Sequence, residues 1–129
     1  MNTIFEIKQH DLLPRFDFTL LDFDEPADLS YALSARFMMR NRSTGLKVDR
    51  NAVILDQSVD ANVGKGYYEW VEGDTDTVGS FKAEIEVIWA DGRPQTFPGN
   101  KYVTIKILKD LDTPRASGSG SIATVTSIG

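Results

Sequence analysis

No cysteine occurs in the 129 residues, so neither a disulfide framework nor a thiolate metal site is available. That absence suits a reducing compartment. Histidine occurs once, as His10 beside a turn, and any Ser-His-Asp triad would have to use it. No Gly-x-Ser-x-Gly elbow supplies a nucleophile, so the chain is expected not to be an enzyme. No apolar run approaches the ~20 residues of a membrane helix, and no membrane role is expected. The start, MNTIFEIKQHD, lacks a basic region followed by an apolar stretch, so no signal peptide is expected. Positive charge is scarce: 14 Lys and Arg stand against 19 Asp and Glu, for a net charge of -5. General nucleic-acid binding needs a basic footprint, and this balance argues against it. Helices of ordinary length and internal repeats are also missing.

What is present is alternation. From Phe81 to Trp89, Phe81, Ala83, Ile85, Val87 and Trp89 share one face, and Lys82, Glu84 and Glu86 the other. A period of two means a strand with one buried and one wet face. Asp91-Gly92 follows as a tight hairpin turn. The chain returns through Gln95 to Phe97, and after Pro98-Gly99-Asn100 a last strand runs from Tyr102 to Leu108, with Val103, Ile105 and Ile107 inward.

Earlier segments read the same way. Thr3 to Gln9 carries Phe5 and Ile7 on one face. Arg15 to Leu21, after Pro14, alternates Phe16, Phe18 and Leu20 with Asp17 and Thr19. Asp22 to Pro26 reads as an acidic turn. Ala32 to Arg40 places Leu33, Ala35, Phe37 and Met39 against Ser34, Arg36, Met38 and Arg40. Its residue types favour helix, but the strict two-residue period predicts strand. Asn41 to Gly45 is a hairpin, Asn51 to Asp56 a short strand, and Tyr67 to Val71 another, with Tyr68 and Trp70 on one face and Tyr67 on the other. About seven short strands predict an all-β, antiparallel, immunoglobulin-like sandwich over residues 1–111. Phe16, Phe18, Phe37, Phe81, Ile85, Val87 and Ile105 are its expected core. Residues 112–129 read as a flexible Gly-Ser linker followed by an extended C-terminal tail, IATVTSIG.

The order of these features resembles a phage tail family. It is similar to the N-terminal immunoglobulin-like domain of the phage baseplate upper protein. The pieces that carry the resemblance are Ile7 to Asp11 with Pro14, Pro26 to Leu29, Phe37 to Met39, Tyr67 to Trp70 with Asp74-Thr75, Gly79 to Glu84, and Asp91-Gly92 with Thr96-Phe97-Pro98. The resemblance implies a non-enzymatic virion structural module of a tail, baseplate, collar or capsid. It implies other virion proteins and further copies of the chain as partners, no catalytic residues, and assembly into particles in the host cytoplasm.

Several constellations invite a functional reading. The acidic clusters Asp22-Asp24-Glu25, Asp74-Asp76 and Asp91 lack the EF-hand pattern and are read as turn residues, with no metal or cofactor expected. The basic run Arg36, Arg40, Arg42, Lys47 and Arg50 lies between acidic flanks. It is either a solvated face or a docking surface for an acidic neighbour, with Arg36, Arg40 and Arg42 as the partner-binding candidates. In the tail, Ile122, Val125 and Ile128 are candidate anchors for strand addition to a neighbour's sheet edge. The alternative function is a carbohydrate-binding module that uses Tyr67, Tyr68, Trp70 or Trp89 as a platform.

Overall fold

The computed structural model describes residues 3–43, 45–98 and 103–110. The boundary near Asp112 and the tail with Ile122, Val125 and Ile128 lie outside the described residues. The fold is all-β. Its strands are β1 (Thr3–Lys8), β2 (Phe16–Thr19), β3 (Leu21–Asp22), β4 (Glu25–Pro26), β5 (Ala32–Asn41), β6 (Gly45–Ile54), β7 (Lys65–Tyr68), β8 (Gly79–Trp89), β9 (Pro94–Phe97) and β10 (Val103–Leu108). One 3-10 turn, Asp60–Asn62, precedes β7.

The hydrogen-bonded order is β1-β10-β8-β5-β6-β7-β2, with β9 on β8 and a separate β3–β4 ribbon. Strands β1 and β2 stand at opposite ends of that order. Laid flat, six spacings of about 4.8 Å would separate them by roughly 29 Å. Yet the rings of Phe5 in β1 and Phe16 in β2 meet edge to face at 5.3 Å. Phe16 also lies 5.4 Å from Phe37 in β5. The sheet is therefore folded over into two facing layers. The fold line runs through β6, which pairs with β5 through Ala52 and with β7 at Val53 and Ile54.

The core fills the space between the layers. All seven expected core residues are at most 1% exposed. Phe37 stacks on Tyr68 at 4.5 Å, and Trp70 meets both rings edge-on. At Gly66, in β7, an added Cβ would lie 2.4 Å from the Val53 carbonyl and 2.6 Å from the Phe18 ring, so only glycine lets β6, β7 and β2 approach this closely.

Several features differ from the sequence expectation, among them β7, which covers Lys65–Tyr68 and not Tyr67 to Val71. The β1–β10 pair is parallel, so the sheet is mixed and not purely antiparallel. No local pattern encodes this, because the whole intervening chain forms the connection. Strand β6 begins at Gly45, not Asn51, and a bulge at Lys47 interrupts the alternation that would have marked its first half. Leu33 is 68% exposed. Ala32 pairs with Trp89 and Ser34 with Ile88, so Leu33 is the extra residue of a β-bulge that breaks the alternation. Trp89 packs against the core only in part, with its indole N–H donating to Gln95 Oε1 at 3.0 Å.

Candidate interaction site

The basic run divides into paired and unpaired members. On the outer face of β5, Arg36 donates to Asp49 Oδ1 from Nε at 2.9 Å and Nη2 at 2.5 Å. Lys47 is the extra residue of a second bulge, between Met39–Val48 and Arg40–Leu46. Bulges re-aim side chains. Here Lys47 reaches Asp76 at 2.8 Å and, by that hydrogen bond, holds the Asp76 carboxyl below its ordinary range. Arg50 Nη1 meets Asp74 Oδ1 at 2.5 Å.

Asp74 is the buried centre of a small network. Its Oδ2 accepts from the Tyr68 hydroxyl at 2.6 Å and from the Val71 N–H at 3.0 Å. This explains why Asp74 sits in the loop after β7: it ties the loop to β7 and, through Arg50, to β6. Burial, reinforced by the hydrogen bond to Asp74, pushes the Tyr68 phenol above its ordinary 10.0. The unfolded chain therefore releases this proton at a lower pH than the folded chain does. Above about pH 10 the unfolded state binds fewer protons, so stability is intact below that pH and falls as pH rises beyond it. Urea midpoints measured from about pH 9 to 11 are expected to decline, and Tyr68→Phe is expected to flatten the decline. An equally steep decline in Tyr68→Phe would assign the effect to other groups.

Arg40 and Arg42 are the two arginines of the described residues without a carboxylate partner. They line an open groove of about 640 Å³ together with Ser43, Lys82 and Thr104. Arg40 stands directly opposite Lys82 in the β5–β8 register. The groove therefore gathers three cationic side chains. Of the sequence candidates, the structure thus brings Arg40 and Arg42 together at one groove, and engages Arg36 with Asp49 further along β5.

The acidic turn at Asp22 to Pro26 is a two-stranded ribbon, with Leu21 opposite Pro26 and Asp22 opposite Glu25. Its tip residues Phe23 and Asp24 have φ of 51° and 65°. A type I′ turn needs positive φ at both positions, which Asn and Gly accept readily. A bulky side chain there costs roughly 1–2 kcal/mol. Phe23 is also 96% exposed, so no packing within the chain offsets that cost. Sequence reasoning passed over Phe23; the signal available was an aromatic residue where a tight turn calls for Asn or Gly.

Two further features complete the surface. At the β8–β9 hairpin, Asp91 accepts from the Arg93 side chain and backbone, as a turn aspartate does, and its carboxyl is held below the ordinary range by the Arg93 side-chain hydrogen bond. Beside it, Tyr31, Trp89 and Gln95 line a cleft of about 660 Å³. Of the other platform candidates, Tyr68 and Trp70 are buried, and Tyr67 lies under the Arg15 guanidinium at 3.9 Å. His10 is exposed, with its backbone N–H donating to the Thr75 carbonyl at 3.0 Å. Among the described residues, no group of three or more His, Asp or Glu is placed to hold a metal ion. No family model, curated protein or solved structure matches the chain.

Proposed function

We propose that the chain is a non-enzymatic structural module of a phage virion, acting by protein–protein assembly through a rigid immunoglobulin-like sandwich. The observation that carries this reading is the groove at Arg40 and Arg42: two exposed guanidiniums left without carboxylate partners in a chain of net charge -5. Unpaired arginines beside a groove suit an acidic protein neighbour, because the planar fork binds carboxylates bidentately. The order of turn and strand motifs that resembles the baseplate upper protein adds the virion context, with assembly in the host cytoplasm. Mass spectrometry of purified phage particles carrying this coding sequence is expected to find the chain at structural copy number. Its absence from the particles would overturn the reading.

A second reading has one observation in its favour. The cleft at Tyr31, Trp89 and Gln95 combines aromatic faces with polar groups, the chemistry that holds a sugar ring. Glycan-array binding that Trp89→Ala abolishes would support a carbohydrate-binding module instead.

A further inference from the structure

We propose that the β3–β4 ribbon of one copy of this chain docks in the Arg40–Arg42–Lys82 groove of a second copy, joining copies head to tail. The inference rests on the reading of the chain as an assembly module and specifies its contact.

The ribbon presents a ring and three carboxylates to solvent. Phe23 is held at the tip in an unfavourable backbone conformation and packs on nothing within its own chain. Asp22, Asp24 and Glu25 flank it, and none of the three forms an ion pair among the described residues. Local rules broken without a gain inside the fold point to a use outside it.

The groove has the complementary chemistry. Arg40 and Arg42 have no carboxylate of their own, and Lys82 adds a third positive charge opposite Arg40. Carboxylates from the ribbon can pair with the Arg40 and Arg42 guanidiniums. The Phe23 ring can lie against a guanidinium plane, where its negative face meets the cation. The groove volume, about 640 Å³, falls in the range of pockets that enclose a ligand.

Position along the strands fixes the symmetry. The groove lies at the Gly45 end of β6, where Asn41 faces Gly45. The ribbon lies at the other end: Leu20 N–H donates to the Gly64 carbonyl, and Ala27 N–H donates back to Leu20. Gly64 immediately precedes β7, which pairs with Ile54 at the far end of β6. Ten residues of β6 therefore put the two surfaces roughly 30 Å apart. A contact between different surfaces at opposite ends is heterologous. It builds a ring if its rotation closes and a filament if it does not.

Sedimentation velocity of the full chain over a concentration series tests this. At low salt the wild type is expected to sediment faster as concentration rises, and high salt is expected to reverse the association. Phe23→Asn and the double variant Arg40→Glu/Arg42→Glu are each expected to weaken it at least about tenfold. Phe23→Asn is expected to keep or raise the thermal midpoint, which separates lost docking from lost folding. Mixed together, the two variants retain one intact ribbon and one intact groove, and are expected to form a dimer that grows no further. A wild type that stays monomeric at the highest attainable concentration overturns the contact, as do variants that associate like wild type. A chain found in particles that nevertheless fails to self-associate removes this contact and leaves the virion reading standing; absence from particles removes the latter.

Discussion

Replacing Asp74 with Ala is expected to destabilise the protein by about 3–5 kcal/mol, read from urea unfolding midpoints at neutral pH. The Asp74 side chain is 3% exposed, whereas its ion-pair partner Arg50 is 46% exposed. The guanidinium can therefore recover water when the carboxylate is removed, and that half of the pair contributes little to the loss. The Tyr68 hydroxyl cannot, because that hydrogen bond is buried, and the Val71 N–H, whose bond is part-buried, recovers water only in part. An orphaned buried donor costs about 1–3 kcal/mol, and these two donors together account for most of the effect. Tyr68→Phe should cost less, about 1 kcal/mol, because Asp74 keeps Arg50 and the Val71 N–H. Once the phenol is gone, Asp74→Ala orphans one donor instead of two, so the double variant should lose less than the sum of the singles. A loss below about 1 kcal/mol for Asp74→Ala would show that the loop after β7 hydrates freely and that the network does not hold it.

Phe37→Ala is expected to cost about 3–5 kcal/mol. Phe37 is fully buried at the centre of the sandwich, stacked on Tyr68, edge-on to Trp70 and within 5.4 Å of Phe16. Its neighbours come from β2, from β7 and from the segment just beyond β7, so no single side chain can move to fill the void. The cavity therefore persists and adds to the lost transfer free energy. Phe97, buried where β9 lies along β8, has its own strand beside it, and Phe97→Ala provides the comparison. Guanidinium unfolding should show the lower midpoint with an unchanged slope, the sign of lost stability without a changed denatured state. A Phe37→Ala variant within about 1 kcal/mol of wild type would mean that the layers close over the gap.

Both expected losses concern residues whose inward orientation or turn chemistry was legible one strand at a time. The alternation of Phe16 and Phe18, of Ala35, Phe37 and Met39, and of Phe81 through Val87 gave strands and faces directly, because burial of one face imposes a period of two whatever the neighbours are. Asp91-Gly92 gave its hairpin for a similarly local reason: Gly92 adopts φ of 87°, which few other residues tolerate. Local chemistry also marked Arg36, Arg40 and Arg42 as docking candidates. It could not separate Arg40 and Arg42 from Arg36.

That separation belongs to the tertiary structure. A bulge turned Lys47 toward Asp76, the β5–β6 pairing set Arg36 beside Asp49, and the loop after β7 carried Asp74 to Arg50. Arg40 was left facing Lys82 across a ladder formed by residues some forty positions apart, with Arg42 beside it at the same groove. The parallel β1–β10 edge and the fold of the sheet through β6 were likewise decided by contacts between distant segments. Most inward positions and turns follow from local residue order, because those depend on each residue's nearest neighbours along the chain. Which arginines find a carboxylate, and which do not, depends on strand register and on one-residue bulges, and only the assembled sheet sets those.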